Sequence, residues 1–346
     1  MIRLTAREFR TQAIVALGAL VIAAIVLAIT GASLTHLYNA TVANCKMNGD
    51  CSTATSLFLS TDSGVQGTLD FLMIVIPGLI GIFWGAPLLA RELETGTYRL
   101  AWTQSVTRAR WLAVKIGIVG VSSLLATGLL SLMVTWWFGP LDRVNMSIFG
   151  SFDQRDIVPI GYAAFAFALG VTCGAVLRRT LPAMATTLVG FVAVRLVIFA
   201  GVRPNLMAPL HRTVINTVIA HPTFTPDQGT LPANAWVLSD QTINAAGNVI
   251  GQNGSINGGT ILSPGATGLT IQGVGTCPGI APPTPGTGGV GPALQKCVDN
   301  LHIRDVLTYQ PSGRYWPFQV YELAIFLTLA LILVGLCFWW VRRRII

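Results

Sequence analysis

Six long apolar runs, separated by polar or charged stretches, frame this 346-residue chain. They run from about Ile14 to Leu34, Asp70 to Ala90, Trp111 to Phe138, Val158 to Leu177, Pro182 to Gly201 and Phe318 to Val341. Each is long enough for a helix to cross a hydrocarbon core of ~30 Å. The first run is too long for a signal-peptide core and lacks a clear small-residue cleavage site, so it reads as a retained transmembrane helix. Ahead of it, Arg3, Arg7 and Arg10 interleave with Leu4 and Phe9, which suits a short interfacial helix. Pro77-Gly78 predicts a bend in the second span, and Gly81 with Gly85 forms a small-xxx-small pair that permits close helix contact. Residues 35–68 and 139–157 are polar connections. Residues 202–317 are different: rich in Gly, Pro, Asn and Thr, with no run able to span. Within them Trp236–Ser239 and Asn248–Ile250 predict short strands around an Ala-Gly turn, and Gly251–Gly291 reads as loops.

The predicted fold is therefore an all-α polytopic membrane protein with six transmembrane helices. A small β-containing extracellular domain lies between helices 5 and 6. Residues 1–201 hold the interfacial helix and helices 1–5, 202–317 the external domain, and 318–346 helix 6 with a basic tail.

Composition agrees and adds an orientation. The chain is 52% hydrophobic and only 10% charged, which excludes an ordinary soluble domain. The net charge of +8 is placed for topology rather than for nucleic acid. Thirteen of the 22 Lys and Arg flank apolar runs on one side, including Arg178-Arg179 and Arg342-Arg343-Arg344. By the positive-inside rule that side is the cytoplasm, so both termini are cytoplasmic in a multi-pass plasma-membrane protein. Cys45 and Cys51 then lie outside, as do Cys277 and Cys297. The spacings and the oxidising face predict two disulfides, Cys45–Cys51 and Cys277–Cys297, while Cys173 and Cys337 sit alone in spans.

Much chemistry is absent from the sequence. There is no Gly-x-x-x-x-Gly-Lys-Ser/Thr phosphate loop, so the chain has no such route to ATP, and no His-Glu-x-x-His, Gly-x-Ser-x-Gly or Cys-x-x-Cys. The histidines (His36, His211, His221, His302) are widely spaced and read as solvated loop residues, so no metal site is expected. Arg195 is the one ionisable residue well inside a span, level with Glu322 near the outer end of its helix. It is part of a salt-bridged outer gate, a contact for an anionic substrate group, or an arginine snorkelling to headgroups. A secondary transporter usually needs a carboxylate near mid-membrane or broken helices around an ion site, and no carboxylate falls well inside the six spans, which counts against that class.

The densest charge lies in Arg91–Lys115, RELETGTYRLAWTQSVTRARWLAVK. A helix emerging from the second span should end at Gly96 in a left-handed cap. Thr97 then caps a short helix, Tyr98 to about Gln104, and Arg108 starts the third span. The pattern Glu94-x-Gly96-Thr97, Leu100, Thr103-Gln104-Ser105-Val106-Thr107-Arg108 and Lys115 resembles the cytoplasmic loop of ABC-2 type transporter permeases. Tyr309-Gln310-Pro311, Arg314–Gln319 and Cys337–Arg344 further resemble permeases of this type from high-GC Gram-positive bacteria, as does the bias of nineteen Arg against three Lys.

The resemblance implies a six-helix, type V exporter-like permease subunit of an ATP-driven ABC exporter. It would dimerise with a second copy or a paralogue and bind two ATPase subunits, which carry the ATP and Mg²⁺. No cofactor is expected in this chain, which would not itself be an enzyme. The resemblance makes residues 97–105 the coupling helix. Glu92, Glu94, Gly96, Thr97, Tyr98, Arg99, Leu100, Trp102, Thr103 and Gln104 would be ATPase-coupling residues. The second and fifth helices would face the pathway, with Phe71, Phe83, Trp84, Phe191, Arg195, Phe199 and Glu322 as lining or gate candidates. Their apolar character implies a hydrophobic or amphipathic cargo such as a drug, antibiotic, lipid or peptide. Two other classes stay open: a membrane-anchored sensor or scaffold using the external domain, and an integral membrane enzyme acting on lipid.

Overall fold

The structure, a computed structural model, describes residues 2–45, 51–61, 63–96, 107–144, 148–215, 234–252, 255–256, 262–265, 268–271, 275–278, 296, 300, 302 and 304–344. The chain divides into two compact units. One comprises Met1–Met146, Gly150–Leu206 and Tyr315–Ile346, the other Ser147–Phe149 and Met207–Arg314.

The first unit is helical. Its elements are α1 (Ile2–Leu37), α2 (Ser52–Thr61), α3 (Ser63–Ile80), α4 (Ala86–Thr95), α5 (Arg108–Asp142), α6 (Val158–Leu177), α7 (Thr180–Val197) and α8 (Tyr315–Arg344). Six stretches among the described residues are long and apolar enough to cross a membrane: Arg10–Ala43, Ser63–Thr95, Arg108–Asp142, Val158–Leu177, Thr180–Asn205 and Ser312–Arg343. They correspond to the six apolar runs, and five extend beyond them.

The N-terminal region departs most from expectation. No separate interfacial helix precedes the first span, because nothing between Arg10 and Ile14 breaks or caps a helix and α1 runs on unbroken. Nor does the helix end at Leu34, where the chain turns polar. The helix continues through a π turn, Tyr38–Ala43, and α2 follows. Packing explains both. Tyr38, Val42 and Phe58 bury against Leu34, Trp137 and Leu141, and the Tyr38 and Phe58 rings meet edge-on at 5.9 Å. Trp137 Nε1 donates to Thr30 Oγ1 (3.0 Å), tying α1 to α5. A disulfide joins Cys45 to Cys51, with Cα atoms 5.6 Å apart. Its predicted companion involves Cys297, which lies outside the described residues.

α6 is the hub, packed against α3, α4, α5, α7 and α8. It is 61% buried over its apolar window, against 6% for the first span. Glycines permit this. One turn after Pro77 the second span widens into a π turn, Gly81–Gly85, before continuing as α4. A Cβ on Gly81 would sit 2.6 Å from the Ala166 carbonyl oxygen, and one on Gly85 2.6 Å from that of Phe167. From the α6 side, Gly174 meets the Ala86 carbonyl oxygen in the same way, at 2.5 Å. The small-xxx-small pair thus brings two backbones together, as such motifs do in membranes.

The second unit carries two antiparallel sheets. The larger is ordered β1 (Leu210–Ile215), β8 (Arg304–Gln310), β2 (Trp236–Ile243), β3 (Val249–Gln252), β4 (Ser255–Ile256). The smaller runs β5 (Leu262–Gly265), β6 (Gly268–Ile271), β7 (Gly275–Pro278). β2 and β3 are the two strands expected around the Ala-Gly turn. There the Asn244 side chain accepts from the Ala246 and Asn248 amides (3.1 and 2.9 Å), and Gly247 takes φ +82°. The reading of Gly251–Gly291 as loops is corrected, because β4 to β7 lie in it. These strands have two to four residues and contain Gly and Pro, too short to display a period of two. In β8 the burial alternates, with Asp305, Leu307 and Tyr309 buried, and Thr242 Oγ1 donates to Asp305 Oδ1 (2.7 Å).

Candidate functional site

Two polar constellations occupy opposite ends of α6. Glu94, on α4, is held at Thr180 just beyond the C-terminus of α6, while Tyr162 lies near its N-terminus. Sixteen helical residues, from Tyr162 to Arg178, separate the two by about 24 Å.

At the first end, α4 stops where expected, with Gly96 left-handed at φ 74°. α5 starts at Arg108, as expected, capped by Thr107, whose side chain accepts from the Arg110 amide. Thr97, Tyr98, Arg99, Leu100, Trp102, Thr103 and Gln104 all lie outside the described residues. The flanks are pinned. Glu92 forms an ion pair with Lys115, which is buried and has its Nζ 5.5 Å from the centre of the Trp111 ring. Glu94 Oε2 accepts from the Thr180 amide (3.0 Å) and hydroxyl (2.8 Å), capping the first turn of α7. The chain thus uses both carboxylates internally, Glu92 to join α4 to α5 and Glu94 to join α4 to α7.

At the other end, five ionisable side chains from three helices and a loop form one buried cluster. Arg203, just past α7, donates to Glu322 through Nε (2.7 Å) and Nη2 (2.8 Å). It also donates to Asp153 through Nη1 (3.1 Å) and Nη2, and through Nη2 to Tyr162 Oη (3.1 Å). Tyr162 Oη lies 2.6 Å from both Asp153 Oδ1 and Glu322 Oε1. Arg195 Nη1 is 3.2 Å from Asp153 Oδ1 and 3.9 Å from Glu322 Oε1, with its guanidinium 3.5 Å from the centre of the Tyr162 ring. Glu322 and Tyr162 are wholly buried and Arg203 nearly so. Burial would raise the Asp153 carboxyl, but the bonds and charge of Arg203, the charge of Arg195 and the Tyr162 hydroxyl outweigh it and lower its pKa to about 2. Two carboxylates face two guanidiniums, so the cluster is electrically balanced where an unmatched charge would be costly.

A second layer fixes the 150–157 loop that presents Asp153. Arg155 Nη1 donates to both Asp142 carboxylate oxygens (2.8 Å each). Gln319 Oε1 accepts from the Val158 amide (3.0 Å) while its Nε2 donates to the Phe152 carbonyl (3.1 Å). Ser131 Oγ donates to the Asp156 carbonyl (2.7 Å), and Asp156 holds a left-handed φ of 63°.

Arg195 and Glu322 were the sequence candidates in this cluster, and the structure brings them together. Arg195 occupies a salt-bridged position, its side chain only 13% exposed. Glu322 is two turns inside α8, deeper than its place near the helix end suggested. Sequence reasoning missed Asp153, Tyr162 and Arg203. The signals were Arg203-Pro204 directly after an apolar run, and a tyrosine one turn into an otherwise apolar α6. The aromatic candidates do not converge. Phe71 and Phe83 are more than half exposed, and Phe199 also faces outward, its ring centre 5.1 Å from the Arg203 guanidinium. Phe191 is buried, stacked on Phe165 with centroids 6.3 Å apart. Phe83 and half-buried Trp84 line a half-open apolar groove of about 1070 Å³ between α1, α3 and α5, which also takes in the π turn after α3. Among the described residues no group of His, Cys, Asp and Glu could hold a metal ion.

A family model for ABC-2 membrane transporter related proteins matches residues 17–203, from within α1 to Arg203. The chain belongs to that family. It is thus a multi-pass membrane protein of ABC-2 permease type, and permeases of this kind work with separate ABC ATPases. The match takes in the π turn, the α4–α5 connection and four of the five cluster residues; Glu322, α8 and the sheet unit lie beyond it. No curated protein and no solved structure matches the chain.

Proposed function

We propose that this ABC-2 permease is the transmembrane subunit of an ATP-driven exporter. It pairs with a second copy or a paralogue to enclose a pathway, and each permease takes one ATPase, which binds the ATP and Mg²⁺. Residues 97–105 dock on that ATPase, with Tyr98, Leu100 and Trp102 as apolar anchors. The cargo is hydrophobic or amphipathic. The sheet unit faces the outside, both termini face the cytoplasm, and the Cys45–Cys51 bridge supports that orientation, since disulfides persist on oxidising faces.

The observation that carries the reading is the family match, joined to how the connection is held. The described residues on both sides of it are fixed by Glu92–Lys115 and Glu94–Thr180, so a force applied there reaches α4, α5 and α7 together. A coupling switch works only if the two states differ in their contacts with the ATPase.

The test is co-purification with the ATPase encoded beside this gene, comparing wild type with Trp102→Ala and Tyr98→Ala. Retention by wild type and at least tenfold weaker retention by both variants is expected. Glu94→Arg serves as a folding control, since it disrupts the start of α7 regardless of any ATPase. If wild type retains no ATPase, the exporter reading fails and the sheet unit becomes the candidate ligand sensor of a scaffold.

A further inference from the structure

The groove between α1, α3 and α5 has a shape and a polarity that select its occupant. It follows α1 from Thr11 to Leu27, sixteen residue steps or about 24 Å, within the ~30 Å of a hydrocarbon core. Along that length it offers about 1070 Å³, ample for an extended methylene chain.

Its chemistry points the same way. One mouth is polar, with Thr11 and Gln12 in the wall and exposed Arg10 immediately before them. Beyond it the wall is apolar along its length. The two hydroxyls in that stretch are committed to their own helices: Thr68 Oγ1 donates to the Gly64 carbonyl (2.8 Å) and Thr127 Oγ1 to that of Ser123 (2.9 Å). A sugar or peptide would find its polar groups unmatched there, at a cost of about 1–3 kcal/mol each. A cationic, polar mouth followed by an apolar run reproduces the order of a lipid, head then tail. The small Ala16, Ala19 and Ala23 on the α1 wall keep the channel open.

We propose that this groove binds one acyl chain of a bilayer phospholipid, with the headgroup at the Arg10–Gln12 mouth. The site rests on the membrane placement of the helices and not on the export reading, so it stands or falls independently of ATPase binding.

The test places the full chain in vesicles of phosphatidylethanolamine and phosphatidylglycerol, doped with phosphatidylglycerol bearing a mid-chain diazirine. After irradiation, labelled positions are mapped by mass spectrometry. Labelling of α1 and α3 groove positions at least fivefold above the exposed Leu181 and Val189 of α7 is expected. Ala19→Trp, which fills the channel, should cut groove labelling at least fivefold, while Val21→Trp, outside the groove wall, leaves it unchanged. Uniform labelling of all exposed apolar positions in wild type would mean annular lipid only and overturn the proposal, whether or not Ala19→Trp folds. A high-yield intermolecular disulfide at Ala19→Cys would assign the groove to a second copy and overturn it too.

Discussion

Replacing Arg203 with Met is the sharpest test of the buried cluster. Methionine keeps much of the side-chain volume but removes the charge and every donor. Glu322 then loses both bonds from its nearest cation and keeps the neutral Tyr162 hydroxyl at 2.6 Å and Arg195 at 3.9 Å, with no solvent access. Tyr162 loses a donor as well. Breaking a buried ion pair from one side costs about 3–5 kcal/mol, because the remaining charge is stranded. At about 2–4 °C per kcal/mol for a unit of this size, the melting temperature should fall on the order of 10 °C. Cys337 is fully buried, so in a Cys173→Ala background its reaction with a thiol-reactive fluorophore reports unfolding in detergent. The decisive partner is Arg203→Met with Glu322→Met. The double variant removes one charge of each sign and leaves Asp153 facing Arg195 at 3.2 Å, so it should recover at least half of the single variant's loss. A shift below about 2 °C for Arg203→Met, or a double variant as unstable as the sum of the singles, would refute the balanced-cluster argument.

Other consequences are quickly checked. Gly85→Val would put a side chain against the Phe167 carbonyl at 2.6 Å, so it should cost roughly 1–3 kcal/mol or more and show as loss of the monodisperse peak in size-exclusion chromatography. Asp153 is depressed to about 2, so its stabilisation is complete above the unfolded carboxylate value of ~4 and is lost as pH falls through about 2; the melting temperature should not titrate at this group between pH 5 and 8. Glu94→Gln should weaken the cap on α7, detectable as faster amide exchange at Thr180, whereas an unchanged rate would remove Glu94 from that role. Cys45 and Cys51 in intact cells should react with a membrane-impermeant maleimide only after reduction; labelling without reductant would contradict the disulfide.

Legibility in the sequence followed the range of the interaction. The six spans, the Gly96 stop and the Arg108 start are encoded within a few turns of where they act, and they stand where the pattern puts them. The buried cluster is encoded across the whole chain. Glu322 meets Arg203 119 positions away, and Asp153 meets Arg195 across 42. In one dimension Asp153 is one of five charges in a connection of nearly zero sum, with nothing to distinguish it from its neighbours. The turn past Leu34 was missed for a related reason. Residues 35–61 are polar on average, and the packing of Tyr38, Val42 and Phe58 against Trp137 and its neighbours is what favours helix in the described parts, 35–45 and 52–61. Composition reports the mean environment of a segment, while burial of three side chains decides its backbone.

The distribution of fastenings constrains which helices can move separately on the proposed exporter reading. α6 is joined to the second span by backbone contact at glycines, where sliding by even an ångström would bring carbonyls into collision. It is joined to the end of α7 and to α8 by the charge cluster, where separation would strand charges. At the other end Glu92 and Glu94 tie α4 to α5 and α7. α3 to α8 therefore move as one body at little internal cost. α1 has no such fastening to α3. Its described ties are apolar packing on α5, the Trp137–Thr30 bond and, past Leu37, the Tyr38–Phe58 contact and the Cys45–Cys51 bridge to α2, and the groove opens between it, α3 and α5. Rotation of the body relative to α1 would change the width of the groove before it broke any buried ion pair. An acyl chain in the groove resists that narrowing, so its loss should ease the motion rather than only loosen the fold.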